Sequence, residues 1–360
     1  MQNHFLFKYF PSLKSQIHYI PLAQLPTPIN KLKNLSTYFK TNLYIKLDSL
    51  AGNLDNHLYG GNKVRKLEFL LADALKKEAD TILTFGAIGS NHVVATACYA
   101  QKLGLNCIGF LKKQPISTYV HRNLLLMHYF NCKTYLFSQS ERNLIQKILI
   151  DPNFDFVKNE KLYVIPAGGS NTIGILGFVN AAFELKEQIN NGIIPEPDYI
   201  YVAGGSFGTS IGLSLGLQIL GLKTKIRAVC VEPIELEKVL LDAKLLFEQT
   251  NQLLHFYDSI FPIISFNAKK LKFITKMSEN DYGLAIPEGA AAKNIFEIYE
   301  KINLDDTYTA RAAAALINDL QSNTKLKNKT ILFWHTFCDN FTLPIMPTYT
   351  QLPSDFHQFF

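Results

Sequence analysis

Apolar residues recur along this chain in two rhythms. Short, β-rich runs at residues 81–85, 106–111, 163–165, 199–203, 226–231 and 330–334 are nearly continuous, as in strands buried on both faces of a parallel sheet. Between them apolar positions fall at i, i+3, i+4 and i+7. Leu67, Leu70, Leu71 and Ala74 make one such stripe, and Val93, Val94, Ala97, Cys98 and Ala100 make another. Three times the order is strand, glycine turn, helix. Residues 81–85 lead through Gly86-Ala87-Ile88-Gly89-Ser90-Asn91 into a helix that Ser90 or Asn91 is placed to cap, and residues 163–165 lead through Gly168-Gly169-Ser170-Asn171 into a helix over 173–188. Residues 199–203 lead through Gly204-Gly205-Ser206-Phe207-Gly208 into a helix ending near 220. Strands alternating with helices predict right-handed βαβ units, and therefore an α/β fold of mostly parallel, twisted sheets flanked by helices. Ligands bind at the carboxyl ends of such strands, so the three glycine turns mark the candidate site.

Composition narrows the class. With 360 residues, 48% hydrophobic and 18% charged, the chain can bury a sizeable core. At roughly 100 to 200 residues per domain its length suggests two domains. The richest apolar run, 199–222, is cut by Gly204, Gly205, Ser206, Gly208, Gly212 and Gly216, so no membrane span is expected. The net charge of +6 is spread without a basic run, which gives nucleic-acid binding little support. Five cysteines, without a C-x-x-C pair, suggest neither a disulfide framework nor a metal site. The first ten residues lack the features of a signal peptide, and a cytoplasmic location is expected. No repeat of 20 to 50 residues is found.

Two constellations carry candidate chemistry. Ser206, Phe207, Gly208 and Thr209 sit where a strand turns into a helix, so exposed N–H groups and the helix dipole suit a phosphate. The competing reading is a tight turn that needs glycine for packing. The turn does not fit Gly-x-Gly-x-x-Gly, although Glu232, at the end of the next strand, resembles the acid of a dinucleotide site. The second constellation is Tyr59-Gly60-Gly61-Asn62-Lys63, which places Lys63 at a glycine-loop-to-helix junction. Either Lys63 is a solvated charge, as Arg65 and Lys66 beside it are expected to be, or it is an imine-forming amine whose pKa Arg65 and the helix N-terminus depress.

The segment Gly60-Gly61-Asn62-Lys63-Val64-Arg65-Lys66-Leu67-Glu68-Phe69-Leu70-Leu71-Ala72-Asp73-Ala74-Leu75, with Gly86-Ala87-Ile88-Gly89-Ser90-Asn91-His92 and Pro166-Ala167-Gly168-Gly169-Ser170-Asn171, resembles the D-cysteine desulfhydrase and 1-aminocyclopropane-1-carboxylate (ACC) deaminase family. These are pyridoxal 5'-phosphate (PLP) enzymes of the tryptophan-synthase-β fold type, and the likeness runs from Leu25-Pro26-Thr27-Pro28 to His335-Thr336. The resemblance implies a smaller α/β domain over 65–170 inserted into a larger PLP-binding domain formed by 1–64 and 171–360. It implies that Lys63 bonds the cofactor and serves as acid and base at the substrate α-carbon. Asn91 would bond the cofactor's phenolic oxygen, and Ser206, Phe207, Gly208 and Thr209 would hold its phosphate. Ser90, Asn91 and His92 would meet the substrate carboxylate, and Tyr282 and Tyr308 match the family's active-site tyrosines.

Where ACC deaminases carry glutamate and leucine, this chain has Thr309 and Thr336. A hydroxyl beside the pyridine nitrogen makes a weaker electron sink than a carboxylate does, which suits loss of thiolate better than ring opening. The implied activity is β-elimination from a small amino acid, D-cysteine above all, giving pyruvate, hydrogen sulfide and ammonia. ACC deamination, another PLP lyase or racemase reaction, and a non-catalytic PLP binder are the alternatives, and a homodimer is implied by the family. The chain departs from the family pattern at Gly89, Val94, Ala310-Arg311 and Phe337-Cys338-Asp339-Asn340, changes expected to reshape the pocket.

Overall fold

The computed structural model describes residues 4–52, 58–141, 143–145, 160–278, 282–338, 341, 343 and 345–360. Asp339 and Asn340, which belong to the segment after Thr336 named above, lie outside them. Two sheets organise the chain. Strands β1 (Ile29–Lys31), β2 (Asn42–Leu47), β7 (Tyr199–Gly204), β8 (Lys225–Cys230), β9 (Leu271–Ile274) and β10 (Thr330–His335) form a six-stranded sheet in the order β1-β2-β10-β7-β8-β9. Strands β3 (Thr81–Ala87), β4 (Asn106–Lys112), β5 (Cys132–Leu136) and β6 (Leu162–Ile165) form a second sheet in the order β5-β4-β3-β6. All pairings are parallel except β1 with β2. The α/β architecture expected from the alternation is the one observed. Every residue of β10 is buried, as befits a strand covered on both faces.

The helix Lys63–Lys76 lies between the sheets and takes its register from both. Leu67, Leu70, Leu71 and Ala74 enter the core around the four-stranded sheet, while Phe69 enters the core around the six-stranded one. Its neighbour, expected from residue 173, begins at Leu176 instead. The Asn171 Oδ1 accepts the Gly174 N–H at 2.8 Å, and this side-chain turn replaces the first turn of helix. Three residues on, a Cβ at Gly177 would stand 2.0 Å from the Arg65 carbonyl oxygen, so the two helices cross at backbone contact and the position requires glycine.

Beneath the Lys63 helix runs a buried charge network. Arg65 Nε and Nη2 donate to Asp48, Arg65 Nη1 donates to Glu184 Oε2 at 2.8 Å, and Lys46 Nζ donates to Glu184, to Gln188 and to the Thr27 carbonyl. These four charged side chains are wholly buried and balance two against two. Strand β2 escaped the periodicity reading because Lys46 interrupts its apolar run, and only this distant carboxylate makes burying it tolerable. Among the described residues no helix is long and apolar enough to cross a membrane.

Candidate active site

A cavity of about 390 Å³ opens at the carboxyl ends of β3, β7 and β10. The three glycine turns all reach it: Gly86, Ser90, Asn91 and His92 from the first, Gly168 from the second, and Ser206, Phe207, Gly208 and Thr209 from the third. Lys63, Tyr282, Tyr308 and Thr336 complete the expected set, so of the twelve anticipated site residues only Thr309 is absent from the lining.

Lys63 is the first residue of its helix, and burial lowers its amine to about 8. The expectation that Arg65 depresses it is corrected by the geometry. The Arg65 guanidinium points to the other side of the helix, where burial opposes its charge but Asp48 and Glu184 prevail and raise its pKa. Neither Arg65 nor Lys66 is a surface charge, at 0% and 1% exposure. Lys66 Nζ donates to the Gly168 carbonyl and to Ser170 Oγ, both at 2.8 Å, and Ser170 Oγ lies 2.8 Å from Ser206 Oγ. Burial, then the nearby Lys63, holds the Lys66 amine well below its ordinary pKa.

These groups converge on the start of the helix Gly208–Ile219. A Cβ at Gly208 would lie 2.3 Å from Ser170 Oγ and 2.5 Å from Lys66 Nζ, so the bare glycine leaves a small cradle bounded by an amine, two hydroxyls and a helix N-terminus. Among the described residues no carboxylate pairs with Lys66, and a multiply charged anion is the ligand this donor set lacks. Thr209 Oγ1 accepts from Asn62 Nδ2 at 3.0 Å, which ties the cradle to the residue preceding Lys63.

On the opposite wall Ser90 caps the helix Asn91–Lys102, its hydroxyl accepting the Val93 N–H and its carbonyl the Val94 N–H. By helix geometry this leaves the Asn91 and His92 N–H groups at an open N-terminus beside the cavity. Asn91 Oδ1 accepts from Tyr59 Oη at 2.9 Å and from Asn123 Nδ2 at 2.8 Å, so its own amide Nδ2 is the end left to donate. The His92 ring bonds Thr84 through Nε2, and burial with the charges of Lys63 and Lys66 keeps it neutral. Its backbone, rather than its imidazole, is what it offers a ligand.

Tyr282 and Tyr308 share a hydroxyl–hydroxyl hydrogen bond with their rings edge to face, and burial raises the pKa of both. Thr309 corrects the expectation made for it. Its hydroxyl donates to Asp305 Oδ1 at 2.7 Å and accepts the Asp305 N–H at 2.8 Å, while the same carboxylate takes the N–H groups of Thr307, Tyr308 and Thr309. Thr309 therefore belongs to the cap of the helix Thr309–Ser322 and has no proton left for a ligand. Thr336 does line the cavity, its carbonyl accepting the Asn62 N–H at 3.1 Å. The replaced segment after it contributes Phe337 to the lining, edge to face with Tyr119, while Cys338 is buried below the Gly60–Gly61 turn. Trp334 is structural, its indole N–H donating to Asp48. Glu232 is exposed at the cavity's edge. Sequence reasoning missed Asn123 and Asp305 as contributors to the site, and named Ser170 and Asn62 only as members of the second glycine turn and of the Lys63 constellation. Only Asp305 left a local signal, an acid three to four residues ahead of a helix start.

The chain belongs to the family of pyridoxal-phosphate dependent enzymes, whose pattern matches residues 20–336. Over 88% of its length it is 34% identical to a D-cysteine desulfhydrase of Yersinia enterocolitica, covering 94% of that protein, and it is likewise 34% identical to the D-cysteine desulfhydrase of Serratia proteamaculans over the same shares. A solved structure described as an ACC deaminase homologue superposes with a TM-score of 0.78 at 31% identity, covering 95% of this chain and 97% of that one. The protein is thus a PLP-dependent lyase of the fold type that the resemblance implied.

Proposed function

We propose that this enzyme eliminates hydrosulfide from D-cysteine: D-cysteine and water give pyruvate, hydrogen sulfide and ammonia. The reading rests on one observation above all. The chain shares 34% identity with two D-cysteine desulfhydrases across nearly its whole length, and one cavity is lined by both a half-buried lysine and the start of an anion cradle. The residues present suit PLP. The Gly208 cradle, with Lys66, Ser170, Ser206 and Thr209, suits a phosphate through its hydrogen-bond donors, and the Lys63 amine suits an aldehyde. When bound, PLP withdraws electrons from the substrate α-carbon, which lets a proton and then a β-substituent depart.

In this reading Lys63 Nζ holds the cofactor and then takes the α-proton, a task suited to an amine lowered to about 8, because part of it is unprotonated near neutrality. The open N–H groups of Asn91 and His92, with the Ser90 hydroxyl, bind the substrate carboxylate. Asn91 Nδ2 donates to the cofactor's phenolic oxygen, an orientation that Tyr59 and Asn123 fix from behind. Tyr282 and Tyr308, kept neutral by burial, use one hydroxyl proton in their mutual bond and leave the other free for the leaving sulfur. Thr336 presents a neutral hydroxyl to the pyridine side, and the Asp305 carboxylate, saturated by four donors, is in no position to act as an ionic partner there. That favours thiolate elimination over cyclopropane opening. We place the enzyme in the cytoplasm as a homodimer, in keeping with the desulfhydrase reading. Incubation with D-cysteine, L-cysteine, D-serine and ACC, with keto acid and sulfide measured, tests the substrate. Keto acid and sulfide from D-cysteine, with ACC untouched, is expected; equal turnover of ACC overturns the pyridine-side argument.

A further inference from the structure

Two loops that line the cavity approach one side chain outside it. Gly89 precedes Ser90 and Asn91, and Gly283 follows Tyr282. Gln114, between β4 and the helix Thr118–Tyr129, puts its amide between these glycines. Gln114 Oε1 accepts the Gly89 N–H at 3.1 Å, and the Gly89 carbonyl accepts from Asn123 Nδ2 at 2.8 Å, so both backbone groups of Gly89 are taken by side chains from this one excursion. A Cβ at Gly89 would lie 3.0 Å from Gln114 Nε2, and a Cβ at Gly283, where φ is +89°, would lie 2.8 Å from the same atom. The amide therefore occupies room that exists only because both loops carry glycine, and movement of either loop is felt by the other.

We propose that Gln114 is a positioning residue: its amide clasps the Ser90–Asn91 loop to the Tyr282 loop and sets the spacing between the open helix N-terminus and the tyrosine pair. The catalytic consequence rests on the reading of those two walls as carboxylate site and proton donor; the clasp itself does not. A half-buried amide acts here through direction as well as bulk, because losing its acceptor leaves the Gly89 N–H unpaired.

The test uses the holoenzyme and Gln114→Met, which keeps the volume and removes the acceptor. Amide hydrogen exchange without substrate is expected to accelerate about fivefold or more in two separate segments, one containing Gly89 to Asn91 and one containing Tyr282 to Gly283. KM for D-cysteine should rise about tenfold, the effect of one lost hydrogen bond, with kcat held within about twofold. Gln114→Glu, which retains an acceptor, should restore protection at Gly89. Gly283→Ala, pressing on the amide from the far loop, should accelerate exchange at Gly89. Acceleration confined to one loop, or parent-like exchange in Gln114→Met, overturns the clasp. If the parent enzyme fails to turn over D-cysteine, the substrate reading falls, while the exchange measurement still decides the clasp.

Discussion

Arg65 meets Asp48 through Nε at 3.0 Å and Nη2 at 2.7 Å, with both side chains out of water, and the Lys63 helix is anchored by that pair. Lys63 sits two residues before Arg65, so a shift of the guanidinium would swing the amine. Asp48 also receives the indole N–H of Trp334, the chain's one tryptophan. Removing the carboxylate leaves a buried guanidinium and an indole short of an acceptor, and Asp48→Ala should destabilise the fold by about 3–5 kcal/mol. Urea unfolding followed by Trp334 fluorescence measures it. A loss under about 1 kcal/mol would mean that the network does not hold the helix.

Glu68, on the same helix, accepts the N–H groups of Leu22 and Ala23 through Oε1, and burial raises its carboxyl to about 7. Between its unfolded value near 4.5 and 7 the folded protein binds more protons than the unfolded chain, so stability falls as pH rises through that window. Glu68→Gln removes the effect. The stability difference, variant minus parent, should grow by on the order of 3 kcal/mol from pH 4.5 to pH 8. Taking the difference cancels the contribution of His92, which burial keeps neutral and which acts in the opposite sense below pH 6.5. Glu184 lies outside the window: burial opposes its charge, but Arg65 and Lys46 hold it at about 2, so its contribution is lost only as pH falls below about 4.5. A flat difference curve would show that Glu68 ionises normally.

Gly208→Val would drive a side chain into Lys66 and Ser170. The expected result is a cofactor lost at least about tenfold faster on dialysis, a larger loss in free energy than the change in apoprotein stability. Unchanged retention would place the phosphate elsewhere.

The two threonines should separate. Thr309→Val breaks the reciprocal bonds with Asp305 and should cost about 1–2 kcal/mol while leaving turnover within about threefold. Thr336→Val should leave stability unchanged and lower turnover. Paired urea midpoints and rate measurements decide it, and the reverse pattern would return Thr309 to the cofactor.

The backbone of the site was legible because glycine turns at strand ends and an i, i+3, i+4 stripe after Lys63 are local signals. The environment of the lysines was not. Arg65 and Lys66 read as surface charges because their partners are far along the chain: Glu184 is 119 residues from Arg65, and Ser170 is 104 from Lys66. Strand β2 hid behind Lys46 for the same reason, since nothing local reveals that Glu184 neutralises it. Thr309 is different, because Asp305 stands four residues before it, close enough to mark a cap, and that local signal went unread. The crossing at Gly177 left only a glycine in a helix as its trace.

Whether the Lys63 amine performs the proposed elimination is decided by adding D-cysteine to purified parent enzyme and to Lys63→Ala and counting sulfide and pyruvate. Equal amounts of both are expected from the parent and none from a folded Lys63→Ala protein, since the lysine contributes chemistry but little packing. Sustained release of sulfide and pyruvate by Lys63→Ala without added amine, or no release by the parent while PLP is bound, would contradict it.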